Sequence, residues 1–384
     1  MNPFFAILLL YGMGLTASMQ VGLMGPIALS LRAGFDLNQA QFGLVASLIT
    51  AAGALFAIPA GIWASRLGLK QSVLLGGSMM IIGSIVFSNA DITAQLYVGR
   101  LITSIGYLLI VVAAPSWMTR LGDARIVAFA MSIWGTFVPV GIALGLWLSA
   151  GLVETLGWRV AVMASGVPVI VLLPGLLLFP NPSLQFDRSM MSGILGVLTS
   201  RAALQVALTF GVFAGATSAA ITFMPVMLVE RLAISTTTAA TLIGVTTILG
   251  NIAGSIGAGI MLAHGRSGRP MIMVGLIVMA ASIATIFLTG SLMGIIATLG
   301  FFNLAQGVVA GTCFALLPGI AGRHLSMPAL QGMLAQFAEI FVVLLPPVTG
   351  AMADASGWRG AAFILSGFYL TGMAVILIRQ RRIT

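Results

Sequence analysis

The sequence predicts an all-α membrane protein, with twelve transmembrane helices in two pseudo-symmetric six-helix lobes. Three observations lead there. Of 384 residues, 59% are hydrophobic and only 7% are charged, against about 25% charged in a soluble domain. Apolar stretches recur along the whole chain. Short motifs return roughly 200 residues after they first occur.

Too few polar side chains are present to cover a water-facing surface, so apolar surface must face lipid. A helical span needs about 20 apolar residues to cross about 30 Å of hydrocarbon. Twelve stretches qualify: 4–31, 42–64, 71–89, 95–115, 126–150, 158–179, 202–228, 236–262, 270–289, 291–318, 329–350 and 358–379. Backbone in lipid must satisfy its own hydrogen bonds, which favours helices. The short alternating segments of a membrane β-barrel do not occur. Behind Met1, Asn2, Pro3, Phe4 and Phe5 the apolar stretch lacks a basic leader, so it reads as a retained first helix.

Charge sets the expected topology. With the N-terminus inside, the inner loops hold Arg66, Lys70, Arg120, Arg125, Arg188, Arg201, Arg266, Arg269, Arg323, Arg379, Arg381 and Arg382. The outer loops hold Arg32, Arg159, Arg231 and Arg359; Arg100 completes the seventeen basic residues. The acids Asp36, Asp91, Glu154, Glu230 and Asp354 fall outside. This bias places both termini in the cytoplasm of a multi-pass inner-membrane protein. It also explains the net charge of +9 without nucleic acid as a partner.

The repeat is carried by three matches. Glu154-Thr155-Leu156-Gly157-Trp158-Arg159 returns as Asp354-Ala355-Ser356-Gly357-Trp358-Arg359. Arg66-Leu67-Gly68-Leu69-Lys70 parallels Arg266-Ser267-Gly268-Arg269-Pro270. Arg100, Pro115 and Arg120 parallel Asn303, Pro318 and Arg323. Two halves of like orientation imply a pseudo-two-fold axis along the membrane normal. The expected division is 1–180, a cytoplasmic linker 181–201, and 202–384.

The loop after the second span reads Gly61-Ile62-Trp63-Ala64-Ser65-Arg66-Leu67-Gly68-Leu69-Lys70. It resembles the Gly-x-x-x-Asp-Arg-x-Gly-Arg-Lys motif of the major facilitator superfamily. Gly61, Arg66, Gly68 and Lys70 match, while Ser65 replaces the acid and Leu69 an arginine. In the family this loop gates the inner side, so Gly61, Ser65, Arg66, Gly68 and Lys70 are the gating candidates, without the acid. Arg100-Leu101-Ile102-Thr103-Ser104-Ile105-Gly106 resembles the family's Arg-x-x-Gln-Gly-x-Gly, and Asn303-Leu304-Ala305-Gln306-Gly307 keeps the Gln-Gly in the paired span. The drug–proton antiporter motif is absent from the fifth span: aligned on Pro139, its glycine positions hold Trp134, Val138, Ile142 and Ala143. Ala130–Gly135 and the Gly25-Pro26 pair look more like the cyanate- and nitrate-type uptake branches.

Two charges lie well inside the spans, Arg100 and Glu339. A central charge costs roughly 2.5–3.5 kcal/mol on insertion scales. Arg100 reads either as an anion anchor or proton-coupling partner, or as an arginine that caps carbonyls or snorkels. Glu339 reads either as a proton-coupling group exposed alternately to the two sides, or as a permanently protonated acid bonded to a neighbouring helix. Further substrate-binding candidates are Gln20, Thr103, Tyr107, Trp134, Asn303, Gln306 and Gln336, for each of which interhelical hydrogen bonding or packing is the alternative. The sole cysteine, Cys313, excludes an internal disulfide, and no metal cluster, cofactor motif or catalytic motif is present. The resemblance implies a monomeric secondary transporter that moves a small solute, an organic anion in the leading reading, with protons as a candidate partner. Efflux of hydrophobic compounds is the runner-up. A non-transporting sensor or scaffold is the reading from another class.

Overall fold

A computed structural model describes residues 3–181, 196–321, 325 and 327–378, with the side chains of 62, 65, 124, 128 and 328 excepted. Arg188, Arg323, His324, Arg379, Arg381, Arg382, the Ser65 side chain and most of the linker 181–201 therefore lie outside the described residues. The helices are α1 (Pro3–Gly22), α2 (Met24–Phe35), α3 (Gln39–Ser47), α4 (Ala51–Leu67), α5 (Leu69–Ser88), α6 (Thr93–Met118), α7 (Ala124–Trp134) and α8 (Phe137–Leu177). They continue with α9 (Arg201–Leu232), α10 (Thr236–Ala263), α11 (Gly268–Leu288), α12 (Leu292–Ala321) and α13 (Met327–Leu377). Among the described residues there is no strand, and ten helices are long and apolar enough to cross a membrane.

Several expected spans are interrupted. The first is broken at Leu23 between α1 and α2, and the fifth at Gly135 and Thr136 between α7 and α8. The second is broken by a 3₁₀ turn at Leu48–Thr50. Conversely, spans five and six run together in the 41-residue α8 and spans eleven and twelve in the 51-residue α13. Each long helix turns at the glycine of the repeated motif: Gly157 has φ 82° and ψ 168°, Gly357 φ 64° and ψ −166°. The loop match does not hold residue for residue. Arg66 lies in the last turn of α4, whereas Arg266 lies beyond the end of α10.

Within the first half α1 packs on α6 and α8, α5 on α6 and α8, and α4 on α6. Within the second α9 packs on α13, α10 on α12, and α11 on α12 and α13. Small residues allow the closest approach: a Cβ at Gly141 of α8 would lie 2.6 Å from the Leu15 carbonyl oxygen of α1. The halves meet along two seams, α3 and α4 against α13, and α8 against α10, with α2 against α9 between them. A buried apolar layer joins them at one end. It combines Leu23, Met24, Ile27, Phe42 and Val45 with Phe223 and Val226. This is also where Glu154, Glu230 and Asp354 gather, so we call it the acidic end.

Candidate functional site

Arg100, on α6, is 2% exposed. Its guanidinium donates to three carbonyls: Nε to Val45 at 3.1 Å, Nη1 to Gln20 at 3.2 Å and Nη2 to Ala46 at 2.7 Å. One turn on, Ser104 Oγ accepts from the Ala52 N–H at 2.7 Å. These two side chains straddle the 3₁₀ turn between α3 and α4. Such a turn bonds i to i+3, which disturbs the regular donors of the carbonyls before it and the regular acceptors of the N–H groups after it. α6 supplies replacements on both sides. The Gln20 carbonyl lies just before the other interruption, at Leu23. Of the two readings of Arg100, carbonyl capping is the arrangement realised in this conformation. Among the described residues it makes no ion pair.

The other candidates divide. Gln20 bonds Ser165 at 2.8 Å and Ser84 at 3.5 Å, tying α1 to α8 and α5. Thr103 donates to Gly99 of its own helix. Asn303 exchanges bonds with Thr247 and Thr246 at 3.2 Å each and donates to Leu299. Trp134 stacks on Phe137 with centroids 4.3 Å apart and covers Gly14. Gln306 is different: its Oε1 is buried and, among the described residues, has no hydrogen-bond partner. Tyr107 is almost buried and lies within electrostatic reach of Glu339.

Glu339 and Gln336 belong to the first seam. Their helix runs antiparallel to α3 and α4, so partners descend on one side as they ascend on the other. The Asp354 carboxylate accepts from the N–H groups of Gln39 at 2.9 Å and Ala40 at 3.0 Å. Gly43 lies against the Pro346 carbonyl, and Ser47 Oγ donates to Val343 at 3.0 Å. Glu339 lies beside Thr50, whose hydroxyl donates to the Ser47 carbonyl at 3.0 Å, and rests on Gly53, where a Cβ would come within 2.9 Å of its Cγ. Gln336 enters α4 itself: Oε1 accepts from the Ile58 N–H at 3.0 Å and Nε2 donates to the Ala54 carbonyl at 3.2 Å. Ala54 and Ile58 are an i, i+4 pair, so the amide spans one rung of the helix. Pro59 follows directly, and a proline inside a helix crowds the preceding turn and loosens its bonding.

The second seam repeats the first. Glu154, the counterpart of Asp354, accepts from the Thr237 N–H at 3.3 Å and hydroxyl at 3.1 Å, at the start of α10. Each repeated motif thus sends its acid across to a helix N-terminus in the other half, where unsatisfied N–H groups and the helix dipole favour a carboxylate. Arg32 pairs across the halves with Glu230 at 3.7 Å, and within the second half Trp358 Nε1 donates to the same Glu230 at 2.9 Å. The acid heading each motif was visible in the sequence. Its target was not, because α3 and α10 are remote in the chain.

The gating candidates form a local structure instead. Gly68 takes φ 95°, closed to most side chains, between α4 and α5. Lys70 Nζ donates to the carbonyls of Leu177 at 2.8 Å and Phe179 at 2.6 Å, capping the end of α8. Gly61 and the backbone of Ser65 lie in α4 with Arg66. Both also meet the first residue of the expected linker: Gly68 faces the Asn181 amide, and the Lys70 N–H donates to Asn181 Oδ1 at 3.3 Å.

Comparison with known proteins places this architecture. The profile of the Major Facilitator Superfamily matches residues 10–338. The chain belongs to this superfamily. With its apolar helices this makes it a multi-pass membrane protein. It is 34% identical over 157 residues to a gallate transporter of Pseudomonas putida, covering 40% of this chain and 34% of that one. It is 25% identical over 164 residues to polyol transporter 5 of Arabidopsis thaliana, covering 42% and 30%. These matches span about a third of the relatives' length. Among solved structures, a bacterial homologue of the human lysosomal transporter Spinster, inward-facing and unoccupied, superposes with TM-score 0.85 at 16% identity over 97% of this chain and 96% of that one. A D-xylose–proton symporter gives 0.77 at 17% identity over 98% and 97%.

Proposed function

We propose that this superfamily member takes up a small organic anion together with a proton, by alternating access. The carrying observation is Glu339, the one acid among the described residues placed away from helix ends and from the turns at Gly157 and Gly357, which sits in the seam between the halves beside Thr50 and against Gly53. Glu339 is half-buried, and removing an ionised carboxylate from water as the seam closes costs up to several kcal/mol; closing it over the neutral acid does not. Closure is thereby tied to carriage of a proton. The anion follows from Arg100, a buried cation with no acidic partner among the described residues, whose field in a low-dielectric interior favours a negative solute. The gallate transporter relative, whose named solute is a hydroxylated benzoate, is in keeping with this. Gln306, with its unpartnered oxygen, Tyr107 and the Trp134 face are the contacts offered to the solute.

In this reading the chain crosses an inner membrane twelve times as a monomer, α8 and α13 crossing twice each. At about 1.5 Å per residue their lengths come to roughly 60 and 75 Å, about double the ~30 Å hydrocarbon core. The lobes are 1–180 and 202–384, and both termini are cytoplasmic. The acidic end is external and closed, so the conformation faces inward.

Purified protein in proteoliposomes, offered a panel of aromatic carboxylates, inorganic anions and polyols, tests the proposal. Carboxylates should support counterflow. Glu339→Gln should keep counterflow exchange and lose accumulation driven by a pH gradient. Full gradient-driven accumulation by Glu339→Gln would remove the proton from this site, and counterflow of polyols alone would remove the anion.

A further inference from the structure

At the acidic end, the second half carries a cavity of about 340 Å³ lined by Arg231, Phe287, Leu288, Ser356, Gly357, Trp358 and Arg359. None of the seven is acidic. The neighbouring acid, Glu230, is engaged by Arg32 and by Trp358 Nε1.

The repeat makes this arrangement informative. In the first half, Arg159 does two jobs: it donates to the Ser88 carbonyl at the end of α5, at 2.8 Å, and pairs with Asp91 at 3.3 Å. Its counterpart is Arg359. At the end of α11, the counterpart of α5, the carbonyls of Phe287 and Leu288 are already capped by Arg231. Two hundred residues after Asp91 stands Ser291. Both partners that occupy Arg159 are thus missing for Arg359, which is exposed on the wall of the cavity beside a second guanidinium. Arg231 and Arg359 bring two positive charges, Ser356 a hydroxyl, and Phe287, Leu288 and Trp358 an apolar floor. The ends of membrane helices and tryptophan side chains mark the headgroup level of a bilayer.

We propose that this cavity binds the phosphate group of a membrane phospholipid, held between Arg231 and Arg359 with the glycerol region against Leu288 and Trp358. The Arg359 guanidinium fork matches phosphate oxygens, and Arg231, whose two Nη groups cap carbonyls, adds its charge. Free phosphate offers the same chemistry. The lipid is favoured because the floor is apolar and lies at headgroup depth.

The test uses the full chain reconstituted in vesicles of phosphatidylcholine with a minor fraction of phosphatidylglycerol, then re-extracted, with retained phosphatidylglycerol counted by native mass spectrometry. Arg359→Gln should retain it about fivefold less well, the fold-change that corresponds to ~1 kcal/mol for one basic side chain at a membrane surface. Arg359→Glu should abolish retention. Arg159→Gln, of equal net charge to Arg359→Gln, should retain it like the parent. Equal retention by Arg359→Gln and the parent overturns the site. Equal loss in Arg159→Gln reduces it to net charge and overturns it as well. In a second arm, detergent-purified protein is titrated with inorganic phosphate alone. Saturable binding that Arg359→Gln abolishes, with lipid retention unchanged, would assign the cavity to a free anion and overturn the lipid.

Discussion

Replacing Asp354 by alanine removes the one side chain that serves the first two N–H groups of α3. Asn38 caps the third, at Gln41, so Gln39 and Ala40 depend on Asp354 across the seam. An N-cap substitution costs about 0.5–2 kcal/mol, and a carboxylate at a helix N-terminus adds about 0.3–1 kcal/mol. Water can reach the Ala40 bond, which argues for the lower half of that range, about 1–2 kcal/mol. A contact made only when the acidic end is closed shifts the closed–open equilibrium by its whole worth, here about 5- to 30-fold. Spin labels at Ala94→Cys and Ala355→Cys, both exposed at this end in different halves, report the separation by pulsed dipolar spectroscopy. Asp354→Ala should raise the long-distance population by that factor, and Asp354→Asn, with one acceptor oxygen left, by less. Glu154→Ala, whose bonds are longer, should give a smaller shift that adds to the first, because the seams share no residue. An unchanged distance distribution in the double substitution would show that the acids decorate a closure held by the apolar layer alone.

Gln336→Leu removes the amide that bridges Ala54 and Ile58, and should loosen the same closure by about 1 kcal/mol in the same spin-label measurement; no change would mean that the amide adds nothing to the closure. Arg100→Ala leaves three buried carbonyls without their donor at roughly 1–3 kcal/mol each, so the thermal unfolding temperature of the purified protein should fall steeply, with Arg100→Lys recovering only part because an ammonium lacks the planar fork. An undiminished Tm in Arg100→Ala would return the residue to solute binding alone. Reporter fusions after Thr384 and within 182–190 should both read cytoplasmic, and an external signal from either would invert the proposed orientation.

The sequence carried the class of fold because lipid exposure leaves a compositional trace that needs no tertiary information. The Gly-Trp-Arg repeat carried the matching turns at Gly157 and Gly357, since both halves need a glycine where the chain leaves one helix for the next. Breaks inside spans were not legible. Leu23, Leu48–Thr50 and Gly135 sit in uninterrupted apolar runs, and at the first two the donors and acceptor that accompany the break come from the distant α6. The same limit applies to the polar candidates. Asn303, Gln20 and Thr103 look alike in sequence to Gln306, yet the first three find partners in the folded chain and the last does not. A polar residue in a span is a question of pairing, and pairing is set by helix packing.

Arg100 and Glu339 never touch, but they act on one element. Arg100 and Ser104 hold the 3₁₀ turn at Leu48–Thr50 from the α6 side. Thr50, the last residue of that turn, stands beside Glu339 of α13 while its hydroxyl donates to the Ser47 carbonyl, and three residues later Gly53 makes room for the acid. An uninterrupted helix would rotate Thr50 by tens of degrees relative to the seam, since a 3₁₀ turn has 3.0 residues per turn and an α-helix 3.6. The buried cation therefore fixes the register in which the acid is received by the other half. Loss of Arg100 should then disturb proton coupling as well as stability: Arg100→Lys should couple transport to the pH gradient less tightly than the parent even where its counterflow rate is preserved. Counterflow and pH-driven accumulation falling in equal proportion would show that Arg100 acts on the solute and leaves the turn that receives Glu339 undisturbed.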